Sequence, residues 1–264
     1  MMNNQDTTLL AVERQRIIAD ILKREGTVRT VELCELLHVS AVTIRTDLRD
    51  LETAGLCEII WGGAVSKSPP TEKEAYLEQR SVLNIERKRR IGQRAAELIS
   101  NGQTLMVDAG TTTVEIIKNL PQTFDYLRVI TPALNVAMAA SQFAYIEVIM
   151  PGGILRPVTR SLIGPQTLQS LRMFNADWTF LASGGFDLAH GATTANTLEA
   201  EIKRTMVEQG AQVVLTADSS KYGMVCSLNV ASFAEIDFLV SDMQLPDDAA
   251  AEIESAGVQV IRAV

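Results

Sequence analysis

The chain has 264 residues, 47% of them hydrophobic, with 24 basic against 32 acidic side chains and a formal net charge of −8. That length suits a small domain followed by a medium one, and that hydrophobic content excludes a disordered chain. No apolar run approaches the roughly 18 residues of a membrane span, the start MMNNQDTT has no signal core, and three scattered cysteines (Cys34, Cys57, Cys226) beside two histidines make neither a disulfide framework nor a zinc site. The expected setting is the reducing cytoplasm, with no membrane partner and no cofactor. A net negative charge argues at first against nucleic acid. Charge is unevenly placed, however: residues 69–94 hold seven bases (Lys73, Arg80, Arg87, Lys88, Arg89, Arg90, Arg94) against four acids.

In chain order, Ile17, Ile18, Ile21 and Leu22 form a helical apolar stripe over 13–25, closed by Gly26 as a C-cap. A second helix follows Thr30 as N-cap, with Leu33, Leu36 and Leu37 on one face. After the break at HVS, Ser40 caps a third helix whose inward face carries Ile44, Leu48 and Leu51, ending at Gly55. CEII and GGAV then read as a small hairpin about Gly62 and Gly63. Three short helices and a hairpin are the plan of a winged helix-turn-helix over residues 8–66. The outward face of the third helix presents Ser40 and Ala41 at its start, then Thr43, Arg45, Thr46 and Arg49, side chains suited to phosphates and base edges in a major groove. Double-stranded DNA is the expected partner.

The stretch SKSPPTEKEAY (66–76) has the polar, proline-containing composition of a linker, which is placed at residues 67–80. A basic helix over about 81–100 turns Ile91, Ala95, Leu98 and Ile99 inward; its bases read as a solvated exterior, with contact to DNA as the alternative. Beyond it, apolar runs (TLMVD, LRVIT, YIEVIM, WTFLA, QVVLTAD, FLVSD, VQVI) alternate with helical stretches at 112–119, 133–142, 196–209 and 247–256. That alternation predicts an α/β domain over 81–264 with a largely parallel sheet, whose ligands bind beyond the carboxyl ends of strands. No GxGxxG is present, so no nicotinamide cofactor is expected.

Three strand ends carry chemistry. DAGTTT offers Asp108 for a sugar hydroxyl, Gly110 for a tight turn, and Thr111, Thr112 and Thr113 as an anion cradle, though an ordinary threonine-capped turn reads the same way. SGGFD, with Gly185 and Asp187, is a glycine loop of a common kind that places a hydroxyl-binding acid. ADSSKYG sets Asp218 and Lys221 beyond a buried strand, where they suit a phosphate or polarised sugar oxygen, or a surface salt bridge.

The stretch VSAVTIRTDLRDLETAGL (39–56), followed by GGAV (62–65), resembles the DNA-binding domain of DeoR-type bacterial repressors. Thr46, Ile59 and Trp61 depart from residues frequent there, which implies fewer fixed charges on DNA or a different operator. KRRIGQRAAELI, DAGTTT, VITPALNVA, MPGGILRP, LASGGFD, EAEIKR and ADSSKYG resemble the sensor domain of the same family, in order, so the resemblance spans about 13–262. Pro132, Ala133, Ala182 and Gly184 depart from its common forms, which bears on sugar specificity. The resemblance implies a domain like ribose-5-phosphate isomerase, a homo-oligomer, and a repressor of carbohydrate operons released by a phosphorylated sugar held by the residues above together with Lys203. The rival readings are an isomerase and a DNA-binding scaffold without a ligand. Against the first, ATTANTL stands before EAEIKR, where the isomerases carry a lysine and a run of glycines.

Overall fold

In the computed structural model, which describes residues 10–25, 27–60, 62–66 and 77–264, the chain divides into two units, Met1–Ala75 and Tyr76–Val264. The first contains α1 (Ala11–Glu25), β1 (Thr27–Arg29), α2 (Thr30–Leu37), α3 (Ala41–Thr53), β2 (Cys57–Ile60) and β3 (Gly63–Ser66). The three helical stripes close on one another: Ile18, Ile21, Leu22, Leu33, Leu37, Ile44, Leu48 and Leu51 share one core. Ser40 caps α3 as expected, its hydroxyl accepting from the Thr43 amide at 3.2 Å. Arg14 crosses from α1 to α3 as a buried, forked ion pair with Asp47, at 2.9 Å through Nε and 3.2 Å through Nη2. This pair fixes the angle at which α3 is presented.

Three readings of this unit are corrected. Leu36 is 58% exposed, because α2 spends its inward face on Leu33 and Leu37 alone. Thr30 is not the N-cap of α2 but its buried first residue; Arg29 occupies the cap position and makes no side-chain bond there. The wing has a third strand, since β1 pairs antiparallel with β3 to give the order β1-β3-β2. Gly26, Trp61 and residues 67–76 of the expected linker lie outside the described residues.

The second unit opens with α4 (Leu77–Val82) and α5 (Ile85–Ala96), where one helix over 81–100 is expected; Asn84, in the left-handed region at φ 52°, breaks the two apart. There follow β4 (Thr104–Val107), α6 (Thr113–Lys118), β5 (Leu127–Ile130), α7 (Leu134–Ala140) and β6 (Ile146–Ile149). A hairpin of β7 (Ile154–Arg156) and β8 (Ser161–Ile163) leads to α8 (Pro165–Leu171) and β9 (Ala176–Leu181). The chain continues through β10 (Gly185–Asp187), β11 (Gly191–Thr194), α9 (Thr197–Gln209) and β12 (Gly210–Thr216). It closes with β13 (Leu228–Ala231), β14 (Phe238–Asp242), α10 (Asp247–Ser255) and β15 (Gln259–Ala263).

All seven expected strands enter one parallel sheet, ordered β15-β14-β12-β9-β4-β5-β6. Its residues alternate between two cores, as the period of two requires: Leu105, Val107, Phe180, Val214 and Val240 face one, and Met106, Leu181, Leu215 and Leu239 the other. α5 and α6 cover the first face and α9 and α10 the second.

Gly92 lets α5 approach α6, since a Cβ there would lie 2.6 Å from the Glu115 carbonyl carbon. Alanine is the better helix former by about 1 kcal/mol. Gly92→Ala is nevertheless expected to lower stability by about 1–3 kcal/mol, the usual cost of forcing volume into a packed contact, as read by urea unfolding. A stabilised variant would mean that the two helices can separate freely.

Candidate functional site

From β4 the chain winds one way, to β5 and β6; from β9 it winds the other, to β12, β14 and β15. β4 and β9 are neighbours, so the sheet has its topological switch point between them, where a crevice opens beyond the strand ends. A pocket of about 550 Å³, including its open mouth, lies there. Gly110, Thr111 and Thr112 line it after β4, Ala182 and Ser183 after β9, and Asp218, Ser220 and Lys221 after β12; Arg80, Leu83, Asn84 and Lys88 enter from α4 and α5.

Of the ten expected effector residues, this pocket brings together Gly110, Thr111, Thr112, Asp218 and Lys221. Gly110 owes its place to space as much as to turning: a Cβ there would sit 2.8 Å from that of Ala182. Asp108 and Lys203 are both buried and form an ion pair with each other. Asp108 also accepts from the Ala182 amide at 2.9 Å and Lys203 donates to the Ala182 carbonyl at 2.8 Å, which ties α9 to the ends of β4 and β9. The Thr113 hydroxyl is spent on the Asp108 carbonyl at 2.8 Å. Gly185 and Asp187 are not brought to the pocket. They belong to the β10–β11 hairpin, where a Cβ on Gly185 would meet the Met224 carbonyl oxygen at 2.2 Å, and Asp187 holds the His190 amide at 2.7 Å.

The electrostatics come from Asp218 and Lys221 of that expected set together with two residues outside it, Arg80 and Lys88. Arg80 has Nε and Nη2 buried with no hydrogen-bond partner among the described residues. Lys88, 5% exposed, donates to the carbonyls of Arg80 and Leu83, at 2.5 and 2.7 Å. Burial lowers its pKa to about 8, and Asp218 opposes that shift while Lys221 and Arg80 reinforce it. Lys221 is lowered by burial, with Asp218 raising and Arg80 lowering it further. Asp218 is the one carboxylate among the described residues of the lining, and it is occupied by Asn84 at 3.1 Å and by the Ser220 hydroxyl. The arrangement is a cationic cavity with donors to spare, able to hold an anion.

Lys88 overturns the reading of the basic helix as a wholly solvated exterior. It stands three residues before Ile91 and seven before Ala95, on the same buried face, a spacing that could have singled it out. Arg80 had no such signal, standing at the end of an expected linker.

On α3, Arg45, Thr46 and Arg49 are exposed, and Arg45 and Arg49 make no ion pair among the described residues. The Thr46 hydroxyl bonds back to the Val42 carbonyl at 3.1 Å. Ser40 and Thr43 hold the cap between them, their hydroxyls 2.9 Å apart, and Ala41 is half-buried.

A winged helix-turn-helix joined to an α/β domain with its own pocket defines a DNA-binding transcriptional regulator with a sensor. Residues 14–69 match the DeoR-like helix-turn-helix domain and residues 83–243 the DeoR C terminal sensor domain. The chain belongs to the DeoR family. It is 40% identical to the HTH-type transcriptional regulator GlpR of Haloferax volcanii, over 97% of this chain and 99% of that protein. It is 32% identical to the glycerol-3-phosphate regulon repressor of Escherichia coli, over 89% of this chain and 92% of that one. Among solved structures it is similar to ribose 5-phosphate isomerase A from Methanocaldococcus jannaschii, at 14% identity and a TM-score of 0.37, over 53% of this chain and 55% of that one. These curated relatives are regulators, and the chain is a regulator, not an enzyme. No helix among the described residues is long and apolar enough to cross a membrane.

Removing Lys203 would strand the Asp108 carboxylate in the interior. Lys203→Met is expected to cost about 3–5 kcal/mol, as breaking a buried pair does, measured by chemical denaturation. Unchanged stability would return Lys203 to a ligand-reading role.

Proposed function

We propose that the protein is a repressor of a sugar or sugar-alcohol catabolic operon, and that it leaves double-stranded operator DNA when a phosphorylated sugar fills the pocket of its sensor domain. One observation carries this reading: Arg80, Lys88 and Lys221 surround one cavity, and two buried nitrogens of Arg80 have no partner among the described residues. Among the described residues of the lining, three cations less the Asp218 carboxylate leave two positive charges, a match for a phosphate monoester of about −1.5 to −2. The relative named a glycerol-3-phosphate regulon repressor points to the same ligand class.

The threonine loop assists without leading, because α6 has only six residues and a correspondingly weak dipole. Ser183, whose buried hydroxyl has no partner among the described residues, joins Thr111 and Thr112 as a reader of sugar hydroxyls. On DNA, α3 enters the major groove, with Arg45 and Arg49 toward base edges or phosphates and Thr46 beside them. Two groove arginines per chain favour a homo-oligomer that pairs its α3 helices on repeated half-sites.

Titration calorimetry with sugars and their phosphates tests the reading: a phosphate should bind, its parent sugar should not, and Lys221→Met and Thr111→Ala/Thr112→Ala should each weaken binding. Equal binding of sugar and phosphate would end it. Because an anion needs Lys88 protonated, affinity should fall as pH rises through about 8; a flat profile to pH ~9.5 would remove Lys88 from the site. Arg45→Ala should weaken operator binding by the ~1–3 kcal/mol of a base contact with its melting temperature unchanged, and an unaltered gel-shift titration would contradict the placement of α3.

A further inference from the structure

The pocket's cations are not equivalent in what they hold. Lys221 sits on a single turn after β12, at the end of the sheet; its backbone is tied to Asp218 and Met224, and its ammonium makes no hydrogen bond among the described residues. Arg80 is carried by α4, whose first residue follows the end of the DNA-binding unit by two positions. Lys88 also grips α4: its ammonium donates to the carbonyl of Arg80 within that helix and to that of Leu83 just past it. An ammonium has three donors, so two fix the end of α4 and one is left for the cavity. The far end of α4 is held separately, with Leu77 buried and its amide bonded to the Val158 carbonyl at 3.0 Å.

Without an anion, Arg80, Lys88 and Lys221 repel one another across the pocket, a repulsion that Glu199 and Asp108 offset in part at Arg80, and Asp218 and Glu115 at Lys88. That repulsion falls on α4, since Arg80 rides on it and Lys88 caps it, while Lys221 is anchored to the sheet. An anion between them removes the repulsion and links the Arg80 guanidinium to Lys88, so that α4 is clamped through side chain and carbonyls together. We propose that α4 is the element that registers an anion in the pocket, with Arg80 as its contact and Lys88 as the positioning residue that couples the cavity to the helix. The proposal rests on the anion reading of the pocket and adds to it the first element of the sensor domain as the responding part.

Hydrogen–deuterium exchange of the full chain, with and without saturating inorganic phosphate at constant ionic strength, separates the two ideas. Phosphate should slow exchange at 110–113 and 218–221, and by at least several-fold at 77–83, including the Leu77 amide outside the pocket. In Lys88→Gln, with phosphate raised until 110–113 are again protected, residues 77–83 should exchange fast and no longer respond. Protection of the loops with α4 unaffected in the wild type would overturn the role of α4 and leave the anion site standing. A Lys88→Gln protein whose α4 still responds would overturn the coupling. No protection anywhere would count against the anion site itself, and the proposal would fall with it.

Discussion

Like charges do not gather around a cavity unless the backbone holds them there. In this sensor domain the backbone does so from two sides: β12 delivers Lys221 to the switch point, and the close contact of α5 with α6, permitted by Gly92, brings Lys88 to the same place. Lys88 cannot retreat to solvent without breaking with the carbonyls of Arg80 and Leu83. Desolvation and mutual repulsion both disfavour its charged form, which is why its pKa falls to about 8. The rest of the domain is the frame that sustains this unfavourable arrangement.

That frame is itself built from charges, but paired ones. Asp108 with Lys203 joins the ends of β4 and β9 to α9, and Glu199 with Arg156, at 3.2 Å, joins α9 to the β7–β8 hairpin. Arg14 with Asp47 performs the same service in the DNA-binding unit. A buried ion pair is weak evidence for stability, yet it fixes geometry, because either partner alone would be costly. The division between satisfied pairs and surplus cations is what separates the scaffold from the site.

Most of the fold was legible in the sequence because it follows from periodicity. The three helical stripes, the Ser40 cap and the seven strand runs are local patterns, and each became the element it predicted. What escaped was short or depended on distant neighbours. β7 and β10 have three residues apiece, too few for an alternation to show, and β1 is a strand only because β3 lies beside it. The candidate pocket was legible by half. Strand-end motifs pointed to Thr111, Thr112, Asp218 and Lys221, since strand ends are where such sheets bind ligands. No rule of spacing could tell that Asp108 and Lys203 would satisfy each other, or that Asp187 would close a hairpin with His190. Arg80 was hidden by the polar composition around it, and Lys88 by the basic residues on either side, of which Arg89 and Arg90 are exposed and Arg87 half-buried.

The central claim is that the pocket's uncompensated positive charge is there for a phosphate. A cavity of that kind must favour the dianion of a bound monoester over the monoanion. The ³¹P chemical shift of a sugar phosphate bound to the protein, followed against pH, reports that preference directly. The account predicts a second ionisation displaced well below its value of about 6 in water, and a displacement that shrinks in Arg80→Met. An ionisation unchanged or raised in the complex would contradict it.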